Sequence, residues 1–172
     1  LTGSSWKVTY REINAKESHS ITETSKTLKV PEKIGDVFWT STALQQWLHG
    51  KAIEYLPGYL HDLSIKLGLP YNNISVKRQK TRWGSCSIKG NINLNRNLML
   101  MPAEVVDYVL HHELVHLKVL NHSSNFWKEL GRSFPNYKKS RKQLKYVERN
   151  KIPEWALLDL KVRFSTRVRS WI

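Results

Sequence analysis

Two histidines separated by three residues constrain this chain more than any other feature of its sequence. The segment His112-Glu113-Leu114-Val115-His116 lies in a run whose apolar residues recur at helical spacing. Residues four positions apart project from the same face of a helix, so both imidazoles can reach one metal ion. Glu113 lies one step round the helix, where its carboxylate can contact a water molecule at that ion. The pattern predicts a helical metal site with a glutamate beside it.

A catalytic zinc site requires a third protein ligand, because it typically keeps three ligands and one open position. His122 follows the predicted helix end near Leu120, and a left-handed Asn121 is expected to turn it back toward the same ion. His111 points about 100° away from the other two, so we interpret it as a supporting or surface histidine. The alternative, ordinary core or surface histidines, would bury Glu113 unpaired, which is unfavourable.

Hydrophobic periodicity along the rest of the chain predicts an α+β fold. The predicted regions are N-terminal strands at 6–30, a helical segment at 38–67, the zinc-site region at 74–134 and a basic helix at 136–149. They form one predicted domain at 1–150, a small zincin-like antiparallel sheet packed against the metal-site helix and further helices. A C-terminal extension at 151–172 has no assigned role.

Two interruptions are expected within these regions. The polar residues 14–17 are typical of a hairpin connection between the two N-terminal strands. Pro57-Gly58 is expected to kink or break the long helical segment, because proline removes a backbone hydrogen-bond donor.

Composition narrows the classes of protein further. The chain has 172 residues, of which 40% are hydrophobic and 10% aromatic, which excludes disordered, collagen-like and coiled-coil proteins. It lacks an apolar run of about 18 residues and a secretory signal, so no membrane association is expected. The one cysteine, Cys86, cannot form an internal disulfide, which favours the reducing cytoplasm. We expect Cys86 to be packed, since a nucleophilic cysteine needs a histidine partner.

Positive charge is concentrated after the metal motif. The 28 Lys and Arg outnumber the 14 Asp and Glu by 14, and nine of these basic residues lie between Lys128 and Lys151. One helical stripe carries four of them: Lys138, Lys142, Lys145 and Arg149. A solvated helix face and a nucleic-acid-binding face both account for this stripe.

Several segments together resemble the YgjP-like metallopeptidases. In chain order they are Arg82-Trp83-Gly84-Ser85-Cys86-Ser87, Asn91–Asn95, Tyr108–His116, Asn121-His122-Ser123 and Phe126-Trp127. The resemblance extends from about Leu44 to about Tyr146. It implies a zincin-type zinc peptidase related to the SprT-like proteases, which act near DNA. It also implies three zinc ligands, His112, His116 and His122, with Glu113 as the catalytic residue.

These observations predict a zinc-dependent metallopeptidase with one zinc ion and a peptide or protein substrate. A zinc-activated water would attack the peptide bond, and Glu113 would accept its proton and pass it to the leaving amine. Two alternatives stay open. One is a non-catalytic zinc-bearing nucleic-acid-binding module, which the charge favours, and the other is a zinc hydrolase of a non-peptide amide, which shares the metal chemistry.

Four residues are candidates for substrate binding. By resemblance to zincins, the strand before the metal helix is expected to offer its edge to an extended substrate, which assigns this role to Asn91, Asn93 and Asn95. Trp83 would line the same cleft, or anchor a turn as a buried aromatic residue.

Overall fold

The computed structural model describes residues 6–12, 20–32 and 37–159. Of these, residues 47–152 form one compact unit, and residues 6–46 with 153–159 form a second. The single domain at 1–150 stays a prediction. Both strands and helices are present, which confirms the α+β fold class. No helix in the described ranges has the length and hydrophobicity needed to cross a bilayer.

The elements are numbered in chain order. The strands are β1 (Lys7–Glu12), β2 (Thr22–Thr24), β3 (Thr27–Glu32), β4 (Asn73–Lys77), β5 (Gly84–Cys86) and β6 (Asn91–Asn95). The α-helices are α1 (Val37–Leu67), α2 (Ala103–Val115), α3 (Ser124–Ser133), α4 (Tyr137–Asn150) and α5 (Glu154–Leu157), and a 3₁₀ helix spans Arg96–Leu100.

The smaller unit contains a three-stranded sheet with the order β1-β3-β2. Strand β3 pairs in parallel with β1 and antiparallel with β2, so the predicted hairpin between the first strand and the next is wrong. The second predicted strand is instead a hairpin itself, because Lys26 adopts the left-handed conformation with φ 65°. The predicted connection at 14–17 lies outside the described residues.

A kink or a break was expected at Pro57-Gly58. Helix α1 continues through Pro57, so the break is wrong and the kink stays a prediction. Proline removes one hydrogen-bond donor, whereas the buried side chains of Leu56, Leu60 and Leu63 hold this part of the helix in the core of the larger unit. Tertiary packing therefore outweighs the local preference.

The larger unit contains a second three-stranded sheet, with the order β4-β6-β5. Strand β6 pairs in parallel with β4 and antiparallel with β5, so the predicted wholly antiparallel sheet is wrong. Because β6 is central, both of its backbone edges are paired. The expectation that Asn91–Asn95 offers an edge to a substrate is therefore also wrong, and β5 is an edge strand of this sheet instead.

Helix α2 is the element around which the larger unit is arranged. It lies against β5, α3 and α4, and buries Val105, Val106, Leu110 and Leu114. Its C-terminal turn carries the histidine motif, so one strand edge and two helices meet at this end of the helix.

Candidate active site

Helix α2 ends at Val115, earlier than the sequence predicted, with His116 as its C-cap. The chain then reverses through turns. Asn121 is not left-handed, because among the described residues only Lys26 combines a side chain with positive φ. Its side-chain oxygen instead accepts a hydrogen bond from the Ser123 backbone N–H at 3.3 Å, which turns the chain at His122.

Three imidazoles converge at this turn. The Nε2 atom of His112 lies 3.2 Å from Nε2 of His116 and 2.9 Å from Nε2 of His122. Their candidate ligand atoms all lie within 4.8 Å of one another. In a tetrahedral site with Zn–N distances of ~2.0–2.1 Å, neighbouring ligand nitrogens are about 3.3 Å apart. The cluster is close to that spacing.

The surroundings of His112 and His116 favour neutral imidazoles, which are able to bind a metal. Burial, together with the neighbouring His116 and His122, lowers the pKa of His112 to about 3. The Nδ1 atom of His116 lies 3.0 Å from the Val119 carbonyl, which can only accept a hydrogen bond. That contact places the His116 proton on Nδ1 and leaves the Nε2 lone pair directed at the cluster.

Two aromatic residues of α3 hold the imidazoles in place. The buried Phe126 ring lies 4.8 Å from His112, 4.5 Å from His116 and 4.8 Å from His122. Trp127 stacks on His122 at 5.6 Å, and its indole N–H donates to the His122 carbonyl at 3.0 Å. Helical spacing predicts Phe126 as a core residue, but not its contact with all three histidines.

Glu113 is 5% exposed and lies beside the cluster. Burial raises the pKa of its carboxyl to about 8, and the positive charge of Arg82 acts in the opposite direction. Its Oε2 atom and Nδ1 of His112 are buried without a hydrogen-bond partner among the described residues. Such groups are unfavourable unless a ligand, ion or water satisfies them.

Gly84 gives this glutamate room. A methyl group at the Gly84 Cα would lie 2.5 Å from Glu113 Oε1 and 2.7 Å from its carboxyl carbon. In the sequence this glycine is part of the Arg82–Ser87 motif, where a glycine is typical of a turn, whereas the structure places it in β5. Its pairing opposite Leu94 in the sheet brings it against α2.

A cavity of about 190 Å³ opens beside His112 and Glu113. Trp83 and Gly84 line one side, and Tyr108 and Leu144 line others. Trp83 therefore lies where the sequence predicted a cleft. Tyr108 begins the segment Tyr108–His116, but the sequence indicated no role for it; it contacts the His112 ring edge-on at 5.8 Å.

The predicted asparagines lie in the sheet, and two of them make internal contacts. Asn95 is buried and donates hydrogen bonds to the carbonyls of Gln79 at 2.8 Å and Arg82 at 2.9 Å. Asn93 donates to the Ser85 hydroxyl at 3.2 Å. These contacts shape the loop and edge strand that carry Gly84.

His111 lies outside the cluster. It is 8% exposed, and its Nδ1 atom lies 2.8 Å from the Asp107 carbonyl. Phe134 covers its ring at 4.9 Å. The structure therefore makes it a buried residue with a hydrogen-bonded ring nitrogen and not a surface histidine.

Comparison with known proteins identifies the family of the chain. The chain matches the model of the YgjP-like metallopeptidase domain over residues 1–147. No curated protein is similar enough to this chain to count as a relative.

Two crystal structures resemble about half of the chain. The metallopeptidase zymogen jannalysin of Methanocaldococcus jannaschii is 27% identical, with a TM-score of 0.44, over 52% of this chain and 91% of that chain. The metallopeptidase zymogen abylysin of Pyrococcus abyssi is 27% identical, with a TM-score of 0.45, over 53% and 90%.

The family model places the chain in the metallopeptidase class, and the described residues include three histidines that could hold a metal ion. Because the family model covers 1–147 of the 172 residues, the chain belongs to the YgjP-like metallopeptidase domain family.

Replacing Gly84 with alanine tests whether this glycine positions Glu113. We expect Gly84→Ala to retain its metal but to lose about 10²-fold in kcat, with a smaller change in KM, because the added methyl group displaces the carboxylate. Gly50→Ala is the control, since a methyl group there meets nothing within 4 Å. A Gly84→Ala protein with unchanged kcat would show that the contact does not matter.

Cys86 is expected to react slowly. Burial, and then the charge of Glu113, raises the pKa of its thiol to about 11. The reactive thiolate forms only as pH approaches the pKa, so at pH 8 it is ~10⁻³ of the total. Alkylation by iodoacetamide at pH 8 should be roughly a hundredfold slower in the folded protein than in urea, and should accelerate toward pH 10. Equal rates in both states would contradict this prediction.

Proposed function

We propose that this protein is a zinc-dependent peptidase in which His112, His116 and His122 hold one zinc ion and Glu113 is the general base. The convergence of the three Nε2 atoms beside a buried carboxylate carries the proposal. Family membership supports a metal-dependent peptidase. Imidazole nitrogens are among the ligands that zinc prefers.

The donor set fits a divalent cation. Two neutral imidazoles that direct nitrogen lone pairs at each other repel, and contacts of 2.9 and 3.2 Å become favourable when a cation lies among them. The same cation would stabilise the buried carboxylate of Glu113. A purely structural metal site has no need of such a carboxylate, which disfavours the non-catalytic alternative.

When bound, zinc would activate a water molecule near neutral pH and polarise the scissile carbonyl. Glu113 accepts the proton of the attacking water at its carboxylate and donates it to the leaving amine. Trp83, Tyr108 and Leu144 line the cavity in which this exchange takes place.

The free edge of β5 offers a place for the substrate backbone. Gly84 lines the cavity with Glu113, and β5 pairs with β6 on one side only within the described sheet. An extended peptide can add to such an edge by main-chain hydrogen bonds. This replaces Asn91–Asn95 with β5 as the strand that contacts the substrate.

Removing His122 tests the metal site. We expect the purified protein to contain about one equivalent of zinc and His122→Ala to contain less than about half, because one of three ligands is lost. His61→Ala is the control, because His61 is exposed and outside the cluster. Equal zinc content in the parent and His122→Ala would exclude His122 as a ligand.

Replacing Glu113 tests the base. Glu113→Gln preserves size and hydrogen bonding but cannot accept the proton, so zinc content should be unchanged while cleavage of an unfolded protein falls ~10²–10⁴-fold. Glu104→Gln removes an exposed carboxylate from the first turn of the same helix and should leave cleavage unchanged. Full activity in Glu113→Gln would rule out this mechanism.

A further inference from the structure

A second cavity, of about 660 Å³, lies between α3 and α4 beside the three-histidine cluster. We call it the basic cavity. Its lining includes two aromatic residues and four cationic ones: Trp127, Tyr137, Lys138, Arg141, Lys142 and Lys145. Among the residues that the structure describes, no acidic one lines it. The nearby acid Glu129 instead pairs with Arg132 at 2.6 Å and with Lys118 at 3.8 Å.

The basic cavity adjoins the 190 Å³ cavity beside His112 and Glu113, which we call the catalytic cavity. Trp127 lines the basic cavity, and its ring stacks on His122 and lies 6.2 Å from the His112 ring. On α4, Leu144 lines the catalytic cavity while Lys145, the next residue, lines the basic cavity. A peptide held beside Glu113 is therefore within reach of these cations.

The Trp127 ring in the wall of the basic cavity already contacts neighbouring side chains. Trp127 is stacked with His122 at 5.6 Å and with Tyr137 at 5.7 Å, and the Arg141 guanidinium lies 4.7 Å from its ring centre. Single-stranded nucleic acids bind largely by stacking bases on exposed aromatic faces. Because these neighbours occupy the indole faces, the cavity favours recognition of charge over stacking of bases.

We propose that the basic cavity is a substrate subsite that binds an acidic peptide segment, of Asp or Glu, next to the scissile bond. The proposal rests on the proposed peptidase function. Lys138, Lys142 and Lys145 offer flexible ammonium groups, and Arg141, held against Trp127, offers a guanidinium whose fork matches a carboxylate. Acidic side chains would neutralise this cluster without requiring a stacking surface.

Peptide binding to the zinc-loaded Glu113→Gln protein tests the subsite without cleavage. The probes are a fluorescent peptide containing consecutive glutamates and the same peptide with glutamines. We expect the acidic peptide to bind about tenfold tighter at low salt, and Lys142→Gln/Lys145→Gln to remove that difference. Arg141 is left in place because it contacts Trp127. The control Lys89→Gln/Lys139→Gln removes the same charge from exposed positions outside the cavity.

Three results would overturn the subsite. The first is equal binding of both peptides, and the second is that the control pair weakens binding of the acidic peptide as much as Lys142→Gln/Lys145→Gln does. The third is that Lys142→Gln/Lys145→Gln weakens only the binding of a single-stranded oligonucleotide, which would assign the cavity to nucleic acid. The peptidase proposal is judged separately. Binding of the acidic peptide that depends on Lys142 and Lys145 supports the subsite even if the parent protein cleaves nothing.

Discussion

The geometry of the three-histidine cluster depends on the packing of its imidazole rings around Phe126. Its fully buried ring lies within 4.8 Å of all three imidazoles, between ring centres. Close packing of this kind leaves the histidine side chains few rotamers. The nitrogens therefore converge through packing of the protein itself. Burial also lowers the pKa of His112, which keeps it neutral and able to bind a cation.

The local part of this site was predictable from the sequence. His112 and His116 share a face because helical geometry fixes residues four apart. The approach of His122 was also predicted, but for the wrong reason, since Asn121 turns the chain through its side chain and not through a left-handed backbone. Both conformations are typical of asparagine, and the sequence does not distinguish them.

The non-local part was not predictable. Strand order decides which strands have a free backbone edge, and the pairing of β6 with both β4 and β5 makes Gly84–Cys86 one of the two edge strands of this sheet. A short segment containing glycine reads as a turn until its partner strand is known. The same limit applies to Pro57, whose local preference the surrounding core overrides. Arg141 was likewise missed, because its place beside the cluster depends on the Trp127 ring.

The charges of Arg141 and Glu113 have opposite effects on the binding of a cation by the three histidines. Burial and the neighbouring histidines lower the pKa of His112, and the positive charge of Arg141 on α4 lowers it further. A divalent cation would bind against this positive field. That cation would in turn favour the ionised form of Glu113, whose charge solvent would screen little in its buried position. Gly84 is the residue whose missing side chain allows the carboxylate to be so close. The arginine on α4 thus opposes a cation at the three histidines, whereas the carboxylate for which Gly84 leaves room would favour one.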